Sequence, residues 1–154
     1  MPVENYIDDF YAFLEARLES DYTEKTFTCI ALHKCVNQVI AGWQSGKAGE
    51  GYRIINAVHP EMLVSTDKDT LTEIVACLLH TIIMNGLHPI IHFSAKLIGN
   101  ITLIHIRTSN TGYNATLADN LHKVEPLAEK LGGCITLSNN KRYGLTLTFT
   151  FINQ

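Results

Sequence analysis

Asp67-Lys-Asp-Thr-Leu71-Thr-Glu73-Ile-Val-Ala-Cys77-Leu-Leu-His80-Thr81-Ile-Ile83 is the stretch whose reading decides the fold. Leu71, Ile74, Val75, Leu78 and Ile82 recur at intervals of three and four, the spacing of a helix with one buried stripe. Asp67 stands just before that run, where a carboxylate accepts N–H groups of the first turn, so a helix is expected over about 67–84. Cys77 and Thr81 are four residues apart and share one rim of that helix, beside the apolar stripe. Glu73 is the nearest carboxylate and is expected on roughly the opposite face.

The rest of the chain alternates between helical and extended patterns. Residues 3–20 read as an amphipathic helix with Ile7, Phe10, Leu14 and Leu18 on one stripe. A short extended piece at Thr26–Thr28 precedes a helix over about 30–43, with Leu32, Val36, Val39 and Trp43 on one face. Residues 52–58 and 62–65 read as short strands around the turn His59-Pro60. Strands are expected near 90–95 and 101–108, joined by Gly99-Asn100. Residues 114–131 carry a helical stripe of Leu117, Leu121, Val124, Ala128 and Leu131, with Pro126 expected to kink or divide it. In the final segment Leu145, Leu147, Phe149 and Phe151 alternate with Thr146, Thr148 and Thr150, so this strand buries one face. Its partner is expected at 134–138, with the turn at Asn139-Asn140. This order suits an α+β fold: a two-layer α/β sandwich, a mixed sheet with helices on one face.

Composition narrows the function classes. A chain of 154 residues reads as one globular domain. Apolar residues make up 46%, but no run reaches the length of a membrane span, so no membrane insertion is expected. Met1-Pro-Val-Glu4 does not read as a secretory signal, and a cytoplasmic location is expected. A net charge of -3 gives no case for nucleic-acid binding. The charge is uneven, because residues 1–24 hold seven acids and Arg17 as the one base. That segment reads as a solvated helix face or as a contact for a basic partner. Cys29, Cys35, Cys77 and Cys134 form no CxxC pair and read as reduced thiols. His88 and His92 are closely spaced, but Pro89 between them spoils a helical metal pair.

Four regions together resemble the ATP-binding domain of histidine kinases, a branch of the GHKL superfamily with the Bergerat fold. They are Leu71–Ile82, Ile104–Gly112, Leu131-Gly-Gly-Cys-Ile-Thr-Leu-Ser138 and Tyr143-Gly-Leu-Thr-Leu-Thr-Phe149. The resemblance covers residues 26–152 and implies two parts, an N-terminal helix over 1–24 and an ATPase-like domain over 25–154. The family's first motif resembles L-x-x-(I/V)-L-x-N-L-L-x-N-A, and its two asparagines fall on Cys77 and Thr81. The family needs an amide or carboxylate oxygen there, because Mg²⁺ prefers hard oxygen ligands. The second motif resembles D-x-G-x-G, and its best register is Thr108-Ser-Asn110-Thr-Gly112. Thr108 then stands where the family has the aspartate that accepts the adenine amino group, and Gly112 is the surviving glycine. About two residues separate Gly112 from the next helix, so the family's long lid is expected to be deleted or folded into 114–123. Leu131-Gly-Gly-Cys134 and Gly144-Leu-Thr-Leu-Thr-Phe149 resemble the structural end of the domain.

The degenerate nucleotide-site positions are therefore Cys77, Thr81, Thr108, Asn110 and Gly112. No catalytic residue, metal ligand or cofactor is expected, where the family would use ATP and Mg²⁺. The resemblance implies a bacterial two-component system and a response regulator or kinase as partner, with a possible homodimer through residues 3–20. Three other readings stay open: a diverged ATP-binding catalytic domain, a histidine-phosphotransfer adaptor, and an anti-sigma-type kinase. Neither Ala31-Leu-His33-Lys nor Leu79-His80-Thr resembles the family's phospho-acceptor pattern H-E-L-x-x-P.

Overall fold

The last strand shows how the layers are built. Along Gly144–Ile152, Leu145, Leu147, Phe149 and Phe151 are buried while the residues between them are part-exposed. In a strand successive side chains point to opposite faces, so one face of this sheet meets the core and the other meets solvent. The computed structural model describes residues 27–44, 52–85, 89–109, 115–140 and 144–154. The helix expected over 3–20 lies outside the described residues.

The elements run β1 (Phe27–Ala31), α1 (Leu32–Gln44), β2 (Arg53–Asn56), β3 (Leu63–Asp67), α2 (Lys68–Asn85), β4 (Ile90–Ile98), β5 (Ile101–Thr108), α3 (Ala115–Lys130), β6 (Cys134–Asn140) and β7 (Gly144–Ile152). Five strands form a mixed sheet in the order β2-β4-β5-β7-β6, and β1 pairs with β3 in a separate two-stranded sheet. The β2–β4 pair is parallel and the other pairs of the large sheet are antiparallel. The three helices cover one face, as the alternation and the helical stripes predict. The core joins Val36 of α1, Leu71, Ile74 and Leu78 of α2, and Leu117 and Val124 of α3 to Phe93, Ile104, Phe149 and Phe151 of the sheet.

Several local expectations move. The strands flanking His59-Pro60 do not pair with each other; β2 joins β4 and β3 joins β1. β4 extends to Ile98, because Leu97 and Ile98 continue the ladder opposite Thr102 and Ile101. The final turn is not at Asn139-Asn140: β6 runs on until Asn140 faces Gly144. Pro126 sits inside α3 without dividing it. It is exposed, on the solvent side of a helix that continues through it.

Two glycine positions explain why the end of the domain keeps its pattern. Gly132 has φ 70° and closes α3, with Gly132 N–H donating to Glu129 O and Gly133 N–H to Ala128 O. This pair of bonds satisfies carbonyls that the helix end would leave open. Gly144 has φ 88°, and a Cβ there would lie 2.2 Å from the Thr108 carbonyl oxygen.

Candidate functional site

Asp67 starts α2 as expected: its Oδ2 accepts from Thr70 N–H at 3.4 Å and from the Thr70 hydroxyl. The helix then carries Cys77 and Thr81 into the interior, where both are fully buried. Thr81 Oγ1 donates to Cys77 O at 2.8 Å, a bond back to its own helix. One turn later Asn85 Nδ2 donates to Thr81 O at 2.7 Å. Burial pushes the Cys77 thiol well above its ordinary value, and the nearby Glu73 charge pushes it the same way. A thiol held protonated is a poor nucleophile and a poor metal ligand.

That electrostatic contact corrects the placement of Glu73. Four residues span about one helical turn, so Glu73 lies on the Cys77 side and not on the opposite face. Glu73, Cys77 and Thr81 therefore make one line along α2, with the carboxylate nearest the helix start.

Thr108 ends β5 on the core face of the sheet and is also buried. Its Oγ1 donates to Ser109 O at 3.1 Å, and Ser109 N–H donates to Ile90 O at 3.1 Å. The end of β5 is thus tied to the start of β4, while Gly144 packs against the Thr108 carbonyl. Thr81 and Thr108 are thus both buried, one on α2 and the other at the end of β5. Asn110 and Gly112 lie outside the described residues. Among the described residues no group of three His, Cys, Asp or Glu side chains is placed to hold a metal ion.

The two helical histidines have different surroundings. His33 is half-buried and its Nδ1 lies 2.7 Å from Val58 O, so that nitrogen carries a proton and donates. Asn56 beside it donates from Nδ2 to His33 O and to Asn37 Oδ1, fastening β2 to α1. His80 is 1% exposed, its ring centroid 5.2 Å from that of Trp43. Burial lowers its pKa to about 4, so the ring is neutral at pH 7. The sequence places Trp43 and His80 on their own helices but gives no sign that they meet.

A groove of about 350 Å³ opens elsewhere, between β1 and the start of α1, with Lys34, Cys35, Gln38 and Lys68 along it. Lys68 begins α2. Thr81 stands about 20 Å further along that helix at 1.5 Å per residue. Burial raises the Cys35 thiol, against the lowering effects of its hydrogen bond with Thr72 and of the Lys68 charge.

No family model matches the sequence, and no curated protein matches it. Solved structures do match. The nucleotide-free catalytic domain of histidine kinase ThkA superposes with a TM-score of 0.71 at 13% identity, over 83% of this chain and 96% of that one. Full-length ShkA in complex with AMPPNP gives 0.76 at 15% identity, over 98% of this chain and 37% of ShkA. ThkA in complex with the response regulator protein TrrA gives 0.72 at 12% identity, over 98% of this chain and 49% of that one. At these identities the likeness is one of fold.

Proposed function

We propose that this chain, which has the fold of histidine-kinase ATP-binding domains, is a binding module of two-component signalling without a competent ATP site. It engages a response regulator or a kinase and serves as a scaffold, and it needs neither ATP nor Mg²⁺. The observation that carries this reading is the state of the two motif positions on α2. Cys77 and Thr81 are buried, the thiol is held protonated, and the Thr81 hydroxyl proton is given to Cys77 O. Neither offers the amide or carboxylate oxygen that a magnesium–phosphate clamp uses. Thr108, the adenine position in the resemblance, can accept one hydrogen bond but has no charge to offer. The residues described there do not fit a magnesium nucleotide. The ThkA complex with a response regulator supports the choice of partner class.

Calorimetry with Mg²⁺–ADP tests the reading. We expect no binding tighter than about 1 mM, or roughly -4 kcal/mol. Micromolar affinity would overturn it and make the chain a diverged ATP-binding catalytic domain. Transfer of a radiolabelled phosphoryl group from a regulator to this chain would instead make it a phosphotransfer adaptor.

A further inference from the structure

We propose that the open face of the five-stranded sheet is a docking surface for a partner protein that presents an acidic, amphipathic helix. This deepens the binding-module reading by naming the surface and the chemistry of its partner, and it rests on that reading.

The register of the ladders maps this face. One row across it is Ile55, His92, Arg107, Thr146 and Ser138. The next is Ser94, His105, Thr148 and Thr136, and the next is Lys96, Leu103, Thr150 and Cys134. The last row is Ile98, Ile101 and Ile152. Arg53 stands on the same face of β2, opposite Ile90.

Two features of this map are not needed for folding. The first is its charge. The five strands contain no Asp or Glu, and their strong bases, Arg53, Lys96 and Arg107, all fall on the open face with His92 and His105. The whole chain has a net charge of -3, so this face is opposite in sign to the molecule. Arg107 lies on a central strand, where edge protection by charge is not required, whereas Lys96 lies on β4 beyond the reach of β2, which pairs only as far as Phe93. Partial burial, then Lys96 and Arg107, hold the His105 pKa below its ordinary value, which marks a positive field at the middle of the face. The second feature is the apolar row. Ile98 is 61% exposed, Ile101 37% and Ile152 38%, and they are cross-strand neighbours.

A basic field bordered by an apolar row is complementary to a helix with an apolar stripe and acidic flanks. Nucleic acid fits less well. None of these outward positions is Phe, Tyr or Trp, His92 and His105 offer only small rings for stacking, and three strong bases make a small phosphate footprint.

A synthetic 18-residue helix with a leucine stripe and glutamate elsewhere is the probe. It is labelled with fluorescein and titrated into the full chain, with anisotropy as the readout. The expected result is saturable binding, at least tenfold weaker for Lys96→Glu/Arg107→Glu and for Ile98→Ser/Ile101→Ser. Both variants change exposed residues, and an unchanged urea midpoint shows that they fold. A bromoacetyl group at the end of the probe should alkylate Cys134, at the border of the face, in preference to Cys29, which is exposed on β1. Equal affinity of the charge-reversal variant, or equal labelling of Cys29, would overturn the proposal. So would tighter binding of a 20-nucleotide single strand or of phosphatidylserine vesicles, or displacement of the glutamate probe by its lysine counterpart. A Mg²⁺–ADP titration on the same samples separates the two failures. Micromolar ADP binding with the probe result intact would sink the scaffold reading alone, whereas weak ADP binding with no effect of charge reversal would sink the docking surface alone.

Discussion

Thr81 and Cys77 illustrate how little of a site is fixed by residue type. Their spacing puts them on one line with Glu73, yet Thr81 Oγ1 donates to Cys77 O of its own helix at 2.8 Å. Restoring two amides, Cys77→Asn with Thr81→Asn, would bring two polar groups into a fully buried layer. Each amide left without partners costs about 1–3 kcal/mol. The urea midpoint of the double variant should fall accordingly, and an unchanged midpoint would mean that the layer opens to water. His80 gives a second prediction at this scale. Its folded-state pKa of about 4 lies below its ordinary value of 6.5, so the unfolded chain binds more protons between those values. Stability is therefore fully present above about pH 6.5 and falls as the pH drops toward 4. The shift corresponds to as much as roughly 3 kcal/mol. His80→Leu should flatten this slope between pH 7 and pH 4.5 in urea titrations followed by Trp43 fluorescence. Parallel profiles for the two proteins would refute the assignment.

At the scale of elements, the glycines of the closing segment are geometric requirements. Gly144 combines φ 88° with a Cβ position 2.2 Å from a backbone oxygen, whereas Gly99 has φ 60° and nothing within 4 Å. Gly99→Ala should cost about 1–2 kcal/mol, the ordinary penalty for the left-handed region. Gly144→Ala should cost clearly more, because β7 or the end of β5 must also move. Equal thermal shifts for the two variants would remove the close-approach argument. Pro126 predicts the opposite sign. An interior proline costs a helix about 3 kcal/mol, offset in part by the stiffer unfolded chain. Pro126→Ala should therefore stabilise the protein by about 1–2 kcal/mol, visible as a higher thermal midpoint. A lower midpoint would show that the ring packs where its exposure says it does not.

At the scale of the whole molecule, one core runs from Ile30 of β1 through α1, α2 and α3 to Phe151 of β7. Trp43, the single tryptophan, reports on α1 and α2, and far-UV circular dichroism reports on sheet and helix together. The two signals should give coincident urea midpoints, since elements sharing one core unfold as a unit. Separated midpoints would divide the β1–α1–β3 region from the five-stranded sheet. Among the described residues no helix is long and apolar enough to cross a membrane. The sequence by itself determined the elements and their buried sides, because hydrophobic period and caps act between residues a few positions apart. Leu145 to Phe151 carry that information completely, whereas the stripe from Leu71 to Ile82 leaves Glu73 and His80 unplaced. Motif spacing also supports the proposal that Cys77, Thr81 and Thr108 stand at nucleotide-site positions. Only the tertiary structure decided that β2 pairs in parallel with β4 while β3 pairs with β1, that Trp43 meets His80, and that Arg53, Lys96, His105 and Arg107 share one face. Those facts depend on which strand lies beside which, and strand order is set by long-range burial that no local period encodes.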